Sequence, residues 1–318
     1  MCRLINCPLI GGRVVRYNHR LPPTPIDRHW PCPPSKWQAS TFSNATTAGK
    51  MPSSTMHSTR LVVPCTSATH LNGRVLMLHP WAETAERFRQ QTTVLTRKLN
   101  QAGYDCIFLQ APHTLPSTST FVMDNGGRLR IRHEAEHPQA WFLYDSQDAS
   151  NAKLSHVVDQ HFPFIGLDTS LDLVQAQLAQ IAQEAKPTEL TALLGFSQGA
   201  VLGHVVSLLA QREPYLFGSL GACILASGLA AQHEPESSSR YDTGRLCDRE
   251  EIHLPSLHII GKKDHFVKPS LSLDLASLFK DARVFWHERG HILSQSSALC
   301  AQVVDFLEEC HVVKTRKT

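Results

Sequence analysis

From residue 73 onward, short apolar runs alternate with amphipathic segments of helix length, and this alternation restricts the fold more than any other feature of the chain. It is the pattern of repeated β-α units around a parallel sheet. The runs are continuously apolar, which indicates a sheet covered on both faces. We predict strands at residues 74–79, 104–109, 190–196, 222–226, 256–261 and 283–287, and helices near 84–101, 170–185, 198–211, 271–280 and 295–310. The predicted fold is a three-layer α/β sandwich with a mainly parallel central sheet, whose functional loops follow the carboxyl ends of the strands.

Residues 1–70 differ from the rest of the chain in composition. They hold nine of the 19 prolines, and eight basic side chains against one acidic side chain, a net charge of +7. Such a segment buries too little apolar area to offset the entropy of ordering, so we predict a disordered tail before a hydrolase-sized domain at 71–318. An Arg-rich, acid-poor segment is also typical of a mitochondrial presequence, although the prolines between 22 and 34 interrupt the helix that such a signal needs.

Charge, hydropathy and cysteine content exclude several classes of protein. Residues 71–318 carry 23 basic and 27 acidic groups, a net charge of −4, which gives no support for nucleic-acid binding. No run approaches the ~18 consecutive apolar residues of a membrane-spanning helix. Nine cysteines without a CxxC pair, and no apolar leader, indicate a reducing compartment, the cytoplasm or nucleus, with mitochondrial import as the alternative.

The motif that carries chemistry is Gly-Phe-Ser-Gln-Gly at residues 195–199. It directly follows the apolar run at 190–194 and directly precedes a helix-compatible segment, which is the setting of a nucleophile elbow. A sharp strand-to-helix turn strains the serine backbone and needs small residues two positions to either side. Ser197 is therefore the predicted nucleophile, presented at the carboxyl edge of the sheet.

A serine hydroxyl is a weak nucleophile unless a base removes its proton, and the base must itself be oriented. In this kind of fold the acid follows the serine along the chain and the histidine follows the acid. Asp264 comes after the strand at 256–261, and His291 comes after the strand at 283–287, so both order and loop position fit. We predict a Ser197, Asp264, His291 triad; the substitutes to consider are His265, His287 and Asp248.

Several separated motifs together resemble the fungal family of serine hydrolases, a group of the α/β-hydrolase superfamily that is similar to the ovarian-cancer-associated hydrolases of animals. The likeness covers about residues 73–306 and rests on VLMLH at 75–79, FRQQT at 88–92, AGY at 102–104, APH at 111–113, WFLY at 141–144, GFSQGA at 195–200 and GH at 290–291. It implies an α/β-hydrolase sandwich and a serine esterase or thioesterase acting on small acyl groups, which some members release from a biosynthetic carrier. The family pattern maps onto Ser197, Asp264 and His291 and implies no cofactor and no metal.

The chain departs from the family after the first strand, where His79-Pro80-Trp81 replaces the usual His-Gly-aromatic. Proline has no N–H, so Pro80 cannot donate a hydrogen bond to an oxyanion. The backbone N–H groups of Trp81 and Gln198 are then the expected oxyanion hole. The usual Gly-Gly before the histidine is also reduced to Arg-Gly at 289–290.

Two segments do not fit the alternation: a long insertion at 113–163 and a polar loop at 227–255. Loops of this length inside a compact domain are usually functional or disordered. The insertion holds an aromatic cluster, and two interpretations stay open, a lid or pocket wall and the edge of the core. On the first interpretation the substrate pocket includes His79, Trp141, Phe142 and Tyr144.

Two other functions compete with the serine hydrolase. One is a protein of the same fold that only binds a ligand, although a binder gains nothing from an activated serine. The other is a zinc hydrolase, because residues 133–137 match H-E-x-x-H, with His133 and His137 as ligands. Pro138 biases His137 away from the helical conformation that this motif needs, which disfavours zinc.

Overall fold

An eight-stranded central sheet organises the chain in the computed structural model. The structure describes residues 15–16, 60–63, 71–115, 121–123, 129–131, 138–143, 164–231, 239–243 and 250–316. The strands among these residues are β1 (Val15–Arg16), β2 (Arg60–Val63), β3 (Gly73–Leu78), β4 (Tyr104–Leu109), β5 (His113–Thr114), β6 (Phe121–Met123), β7 (Leu129–Ile131), β8 (Gln139–Ala140), β9 (Leu190–Phe196), β10 (Ala222–Ala226), β11 (Ser256–Gly261) and β12 (Ala282–His287). Each of the six predicted strands is confirmed to within one residue.

The order across the sheet is β1-β12-β11-β10-β9-β3-β4-β2. All neighbouring pairs from β12 to β4 are parallel, whereas β1 and β2 pair antiparallel at the two edges. The carboxyl ends of β3, β9, β11 and β12 therefore meet at one edge of the sheet. The loops that follow these four strands hold the residues that the sequence selects.

Helices cover both faces of the sheet, which confirms the predicted three-layer architecture. They are α1 (Ala85–Gln91), α2 (Thr93–Gln101), α3 (Leu167–Glu184), α4 (Gln198–Arg212), α5 (Pro214–Phe217), α6 (Pro269–Ala276) and α7 (Ser297–Thr315). One core lies between the sheet and α3 to α6, and the other lies between the sheet and α1, α2 and α7. In β3, Leu76 and Leu78 face the first core and Val75 and Met77 face the second, because successive strand side chains point to opposite faces. None of the described helices combines the length and apolar character that crossing a membrane requires.

The predicted helix at 84–101 begins as expected but is interrupted once. The Thr84 hydroxyl accepts a hydrogen bond from the Arg87 N–H at 3.2 Å, as an N-cap residue does. Thr92 separates α1 from α2, and its hydroxyl donates to the Phe88 carbonyl. Periodicity alone did not predict the break, because Phe88 and Leu95 still face the same core.

The two edge strands lie within the segment that composition assigned to a disordered tail. Residues 60–63 pair with β4, and residues 15–16 pair with β12. For these six residues the structure differs from the prediction. The open edges of a sheet offer unpaired N–H and C=O groups to any short extended segment, and composition cannot show that such an edge is within reach. The remaining residues of the predicted tail lie outside the described residues.

The insertion at 113–163 is described at its base and in one hairpin. β5 pairs antiparallel with β8, and β6 pairs antiparallel with β7. Two isolated bridges, Glu83 with Gln139 and Leu143 with Ile165, fix the same base to the body of the fold. We call residues 138–143 the stem of the insertion. Residues 116–120, 124–128, 132–137 and 144–163, and with them Tyr144, His133 and His137, lie outside the described residues.

Candidate active site

Ser197 lies at a sharp turn between the end of β9 and the start of α4. Its backbone has φ 54° and ψ −117°, which places a non-glycine residue in a strained conformation. The Ser197 N–H donates to the Ala226 carbonyl at 2.9 Å, so the neighbouring strand holds the turn in place. The serine is half-buried at the carboxyl edge of the sheet, and its hydroxyl is presented there.

Glycines on either side of the serine allow the strand and the helix to approach. A Cβ atom built on Gly195 would lie 2.2 Å from the Gly199 carbonyl oxygen, and one built on Gly199 would lie 2.3 Å from the Leu78 carbonyl oxygen. These distances are far below contact between real atoms, and the atoms met are backbone. The requirement for small residues that the sequence pattern predicts thus has a steric cause, and Gly199 also brings the start of α4 against the end of β3.

The imidazole of His291 bridges the serine and a carboxylate. Its Nε2 lies 2.9 Å from the Ser197 Oγ, and its Nδ1 lies 2.8 Å from an Asp264 carboxylate oxygen. A carboxylate can only accept hydrogen bonds, so Nδ1 carries the proton and Nε2 of the neutral ring is left to accept from the serine hydroxyl. This tautomer is the one that a general base acting on Ser197 needs.

Asp264 is held as a carboxylate in the loop after β11. One of its oxygens accepts the backbone N–H groups of Phe266 and Val267, both at 2.9 Å, and the other faces His291. Burial acts to raise the pKa of Asp264, but the hydrogen bonds and the imidazole outweigh this effect and hold the pKa below its usual value. The acid is therefore ionised at neutral pH, with only 4% of its surface exposed.

Two aromatic rings flank the imidazole, and sequence reasoning did not select either of them. Phe196 and Phe266 have ring centroids 5.1 and 5.6 Å from that of His291. The histidine is 6% exposed as a result. Each phenylalanine is adjacent to, or two residues from, a predicted site residue, and that position is the only signal the sequence offers.

The three substitute residues do not join this arrangement in the described part of the chain. His265 is exposed, and His287 accepts a hydrogen bond from the Arg289 N–H at 3.3 Å within its own loop. Asp248 lies outside the described residues. The structure thus brings together Ser197 and the first-choice partners, Asp264 and His291.

The two amides predicted for the oxyanion hole lie on segments that pack together. The loop after β3 passes from His79 through Trp81 to Ala82, which has a φ of 58°, and Gly199 packs directly on the start of this loop. Among the described residues, the N–H groups of Trp81 and Gln198 have no protein acceptor. Both donors therefore remain available to a ligand, Gln198 because it opens α4 and its N–H has no partner within the helix.

His79, predicted to line the substrate pocket, is instead fully buried beneath the loop. Its Nδ1 lies 2.8 Å from the Pro80 carbonyl, and its Nε2 lies 3.1 Å from the Ala111 N–H. Because a carbonyl only accepts and an amide N–H only donates, Nδ1 carries the proton and the ring is neutral. Burial lowers the pKa of His79 to about 4, which agrees with this state. The residue holds the loop in place from below.

Trp141 and Phe142, also predicted to line the pocket, belong to the core. Both side chains are fully buried, and the Phe142 ring stacks on Phe164 with centroids 4.0 Å apart. The interpretation of this cluster as the edge of the core therefore describes these two residues better than a pocket wall. An aromatic run in an insertion gives the same sequence pattern in both cases, because periodicity does not report which surface lies opposite.

Metal binding was considered at residues 133 and 137, which lie outside the described residues. Within the described part of the chain, no group of three or more His, Cys, Asp or Glu side chains is placed to hold a metal ion. Cys106 and Cys223 are free and buried, and burial raises the pKa of both thiols well above the ordinary value. They act as small apolar side chains of the sheet.

Known proteins resemble this chain over most of its length. An esterase from Danio rerio, Esterase OVCA2, is 27% identical over 237 residues, which is 74% of this chain and 96% of that protein. The Esterase OVCA2 of Homo sapiens is 27% identical over 242 residues, with the same two shares. Among solved structures, the crystal structure of esterase PE8 covers 80% of this chain and 99% of its own, at 19% identity and a TM-score of 0.49.

A family match covers the region that holds the site. Residues 69–303 match the family described as Serine hydrolase (FSH1), and this range contains the elbow, the loop of Asp264 and the loop of His291. It includes nearly three quarters of the chain and begins close to the boundary that composition indicates. The chain belongs to the FSH1 family of serine hydrolases.

Proposed function

We propose that this serine hydrolase cleaves carboxylic esters or thioesters through an acyl-serine formed on Ser197. The observation that carries the proposal is the continuous pair of contacts from the serine to the acid, 2.9 Å from Ser197 to His291 and 2.8 Å from His291 to Asp264. The serine is accessible, whereas the base and the acid are buried. Such an arrangement activates a hydroxyl and shields the groups that activate it.

The reaction has two halves. In the first, His291 Nε2 takes the Ser197 proton while Oγ bonds to the acyl carbon, and the proton then passes to the departing alcohol or thiol. In the second, His291 takes a proton from water, the hydroxide bonds to the acyl carbon, and the carboxylic acid leaves as Ser197 regains its proton. Asp264 orients the ring and stabilises the imidazolium that forms in each half. No cofactor or metal takes part in these steps.

Negative charge on the acyl oxygen is stabilised by the backbone N–H groups of Trp81 and Gln198 in this proposal. The helix α4 starts at Gln198, so the positive end of its dipole faces the same position. Pro80 contributes no donor, and its neighbour supplies the N–H that the loop needs. Donors fixed before the reaction act in the transition state without reorganising, which is why such amides are effective.

The class of substrate follows from the chemistry and from the relatives. Two relatives carry the name esterase. Thioesters react through the same tetrahedral intermediate, and the family resemblance adds acyl chains held on a biosynthetic carrier as a further substrate. We therefore propose a small acyl ester or thioester as substrate, with residues 71–318 as the catalytic domain. A hydrolysis series over acyl esters and acyl thioesters of increasing length tests this choice.

A fluorophosphonate probe tests the mechanism directly. We expect the native protein to gain the mass of one phosphonyl group, because the activated Ser197 attacks phosphorus and expels fluoride. Labelling is expected to be lost in Ser197→Ala and strongly slowed in His291→Ala, measured by mass spectrometry. A protein that only binds a ligand would stay unlabelled although its serine is intact. A zinc hydrolase using His133 and His137 would ignore the probe and lose activity to chelators.

Asp264→Asn is expected to lower kcat by about 10³- to 10⁴-fold with the fold intact. Two backbone N–H groups hold one carboxylate oxygen, so the oxygen of the asparagine side chain should keep that place and its NH₂ should face His291. Nδ1 would then have to accept, Nε2 would carry the proton, and the ring could not take the proton of Ser197. Steady-state kinetics check the loss, with circular dichroism as the control; a kcat within about threefold of the native value would contradict the assigned role.

A further inference from the structure

The side chain of Gln198 is buried at the start of α4, and both of its polar atoms are used. Its oxygen accepts the Trp141 N–H at 2.9 Å, and its nitrogen donates to the Phe142 carbonyl at 2.8 Å. An amide that accepts from one residue and donates to the next replaces the hydrogen bonds that a neighbouring strand would give. Gln198 therefore ties the stem of the insertion to the turn that holds Ser197.

The same stem is tied on its other side to the loop after β3. The Trp141 indole N–H donates to the His79 carbonyl at 2.8 Å, and the Gln139 N–H donates to the Glu83 carbonyl at 3.0 Å. Trp81 lies between His79 and Glu83 along the chain. The stem thus bridges the two segments that carry the proposed oxyanion donors, and the Ser170 hydroxyl, which donates to the Trp141 carbonyl, anchors it from α3.

We propose that the Gln198 side chain is a positioning residue that, through Trp141, sets the separation between the Trp81 and Gln198 N–H groups. The inference rests on the proposed function and adds a role for a side chain whose backbone alone was assigned one. A displacement of about 1 Å at a reacting group can cost about 10²-fold in rate, and loss of one oxyanion donor costs about 10²- to 10³-fold. Because the oxyanion exists only in the transition state and the intermediate, misplacement should lower kcat and leave KM nearly unchanged.

Gln198→Glu tests this role through pH. A protonated carboxyl offers one acceptor and one donor, as the amide does, whereas an ionised carboxylate offers only acceptors and would face the Phe142 carbonyl. Relative to the native enzyme at the same pH, we expect kcat to be about 10²-fold lower at pH 8 and to recover toward the native value at pH 5, with KM within about threefold throughout. The His79 ring, in contact with the same loop, stays neutral across this range because burial lowers its pKa to about 4.

Gln177→Glu is the matched control. Gln177 is 6% exposed on α3, and no hydrogen bond joins it to the stem among the described contacts. The same substitution there buries the same charge, so we expect a kcat ratio that does not change with pH. Trp141→Phe supplies a second variant in case Gln198→Glu does not fold, since it keeps a ring and removes only the bond to His79. We expect about a tenfold lower kcat at every pH.

Three results would overturn the proposal: a flat kcat ratio for folded Gln198→Glu, the same pH dependence in Gln177→Glu, or losses that appear in KM alone. If Gln198→Glu does not fold, a native kcat in Trp141→Phe overturns it. Failure of the proposed function is separate, because it would show as native hydrolysis that does not depend on Ser197.

Discussion

The kcat of Ser197→Ala is expected to fall by about 10⁴- to 10⁶-fold for every ester and thioester that the native enzyme cleaves. Alanine has no oxygen with which to form the acyl intermediate, so the covalent route is closed. The remaining rate would come from substrate binding and from the two backbone donors, which the substitution leaves in place. Because alanine keeps the Cβ atom, the strained turn with φ 54° should be retained.

Ser227→Ala is the control for this prediction. Ser227 follows β10, the strand next to β9, and it also has a positive φ, 46°. Its buried hydroxyl has no hydrogen-bond partner among the described residues. We expect its kcat to stay within about threefold of the native value, as for a substitution outside the reacting groups. A Ser197→Ala enzyme that kept a tenth or more of the native kcat would rule out the acyl-serine.

The free energy of unfolding is expected to fall steeply as the pH drops below 6.5. Burial lowers the pKa of His79 and His204 to about 4, and burial together with the charge of His204 lowers that of His258 to about 3. Between these values and 6.5 the unfolded chain binds up to three protons that the folded protein does not bind. Each proton contributes about 1.4 kcal/mol per pH unit, so the slope approaches about 4 kcal/mol per pH unit near pH 5.

The sign follows from which state binds more protons. Stability from these histidines is fully present above pH 6.5 and is lost as the pH falls toward their folded pKa values. Glu83 acts in the opposite direction, because burial raises its pKa and the folded state then keeps a proton longer, but it is one group against three. Urea unfolding between pH 5 and pH 8 at constant ionic strength measures the slope.

Variants assign the slope to particular rings. His258→Gln keeps a donor for the Ser256 hydroxyl, which the native Nε2 contacts at 3.0 Å, and should remove about a third of the slope. His253→Gln, at an exposed position, should leave the slope as it is. Equal stability at pH 5 and pH 7 in the native protein would contradict the prediction.

The sequence was most informative where a motif requires its own local geometry. Ser197 could be selected because two glycines, an apolar strand and a helix surround it, and the backbone clashes at Gly195 and Gly199 show why that pattern is needed. Asp264 and His291 could be selected by their order and by their places after strands. The sheet itself was predictable, since continuous apolar runs are stable only when both of their faces are covered.

The sequence was least informative where two segments far apart in the chain meet. Trp141 was assigned to a pocket wall, yet its ring is buried and its indole supports the His79 carbonyl. Gln198 was selected for its backbone, and nothing in the motif indicates that its side chain reaches the insertion 56 residues earlier. The edge strand at 60–63 was hidden in a segment whose composition is unlike that of a strand partner.

By itself the sequence determined the α/β layering, the nucleophile elbow and the order of the three residues at the site, because each depends on local pattern or on the position of a residue after a strand. Only the tertiary structure decided which histidine faces Ser197, what His79 and Trp141 support, and how the oxyanion loop is held. Those outcomes depend on distances of about 3 Å between residues from separate loops, and such distances are fixed by the packing of the whole sheet rather than by the residues that neighbour them in the chain.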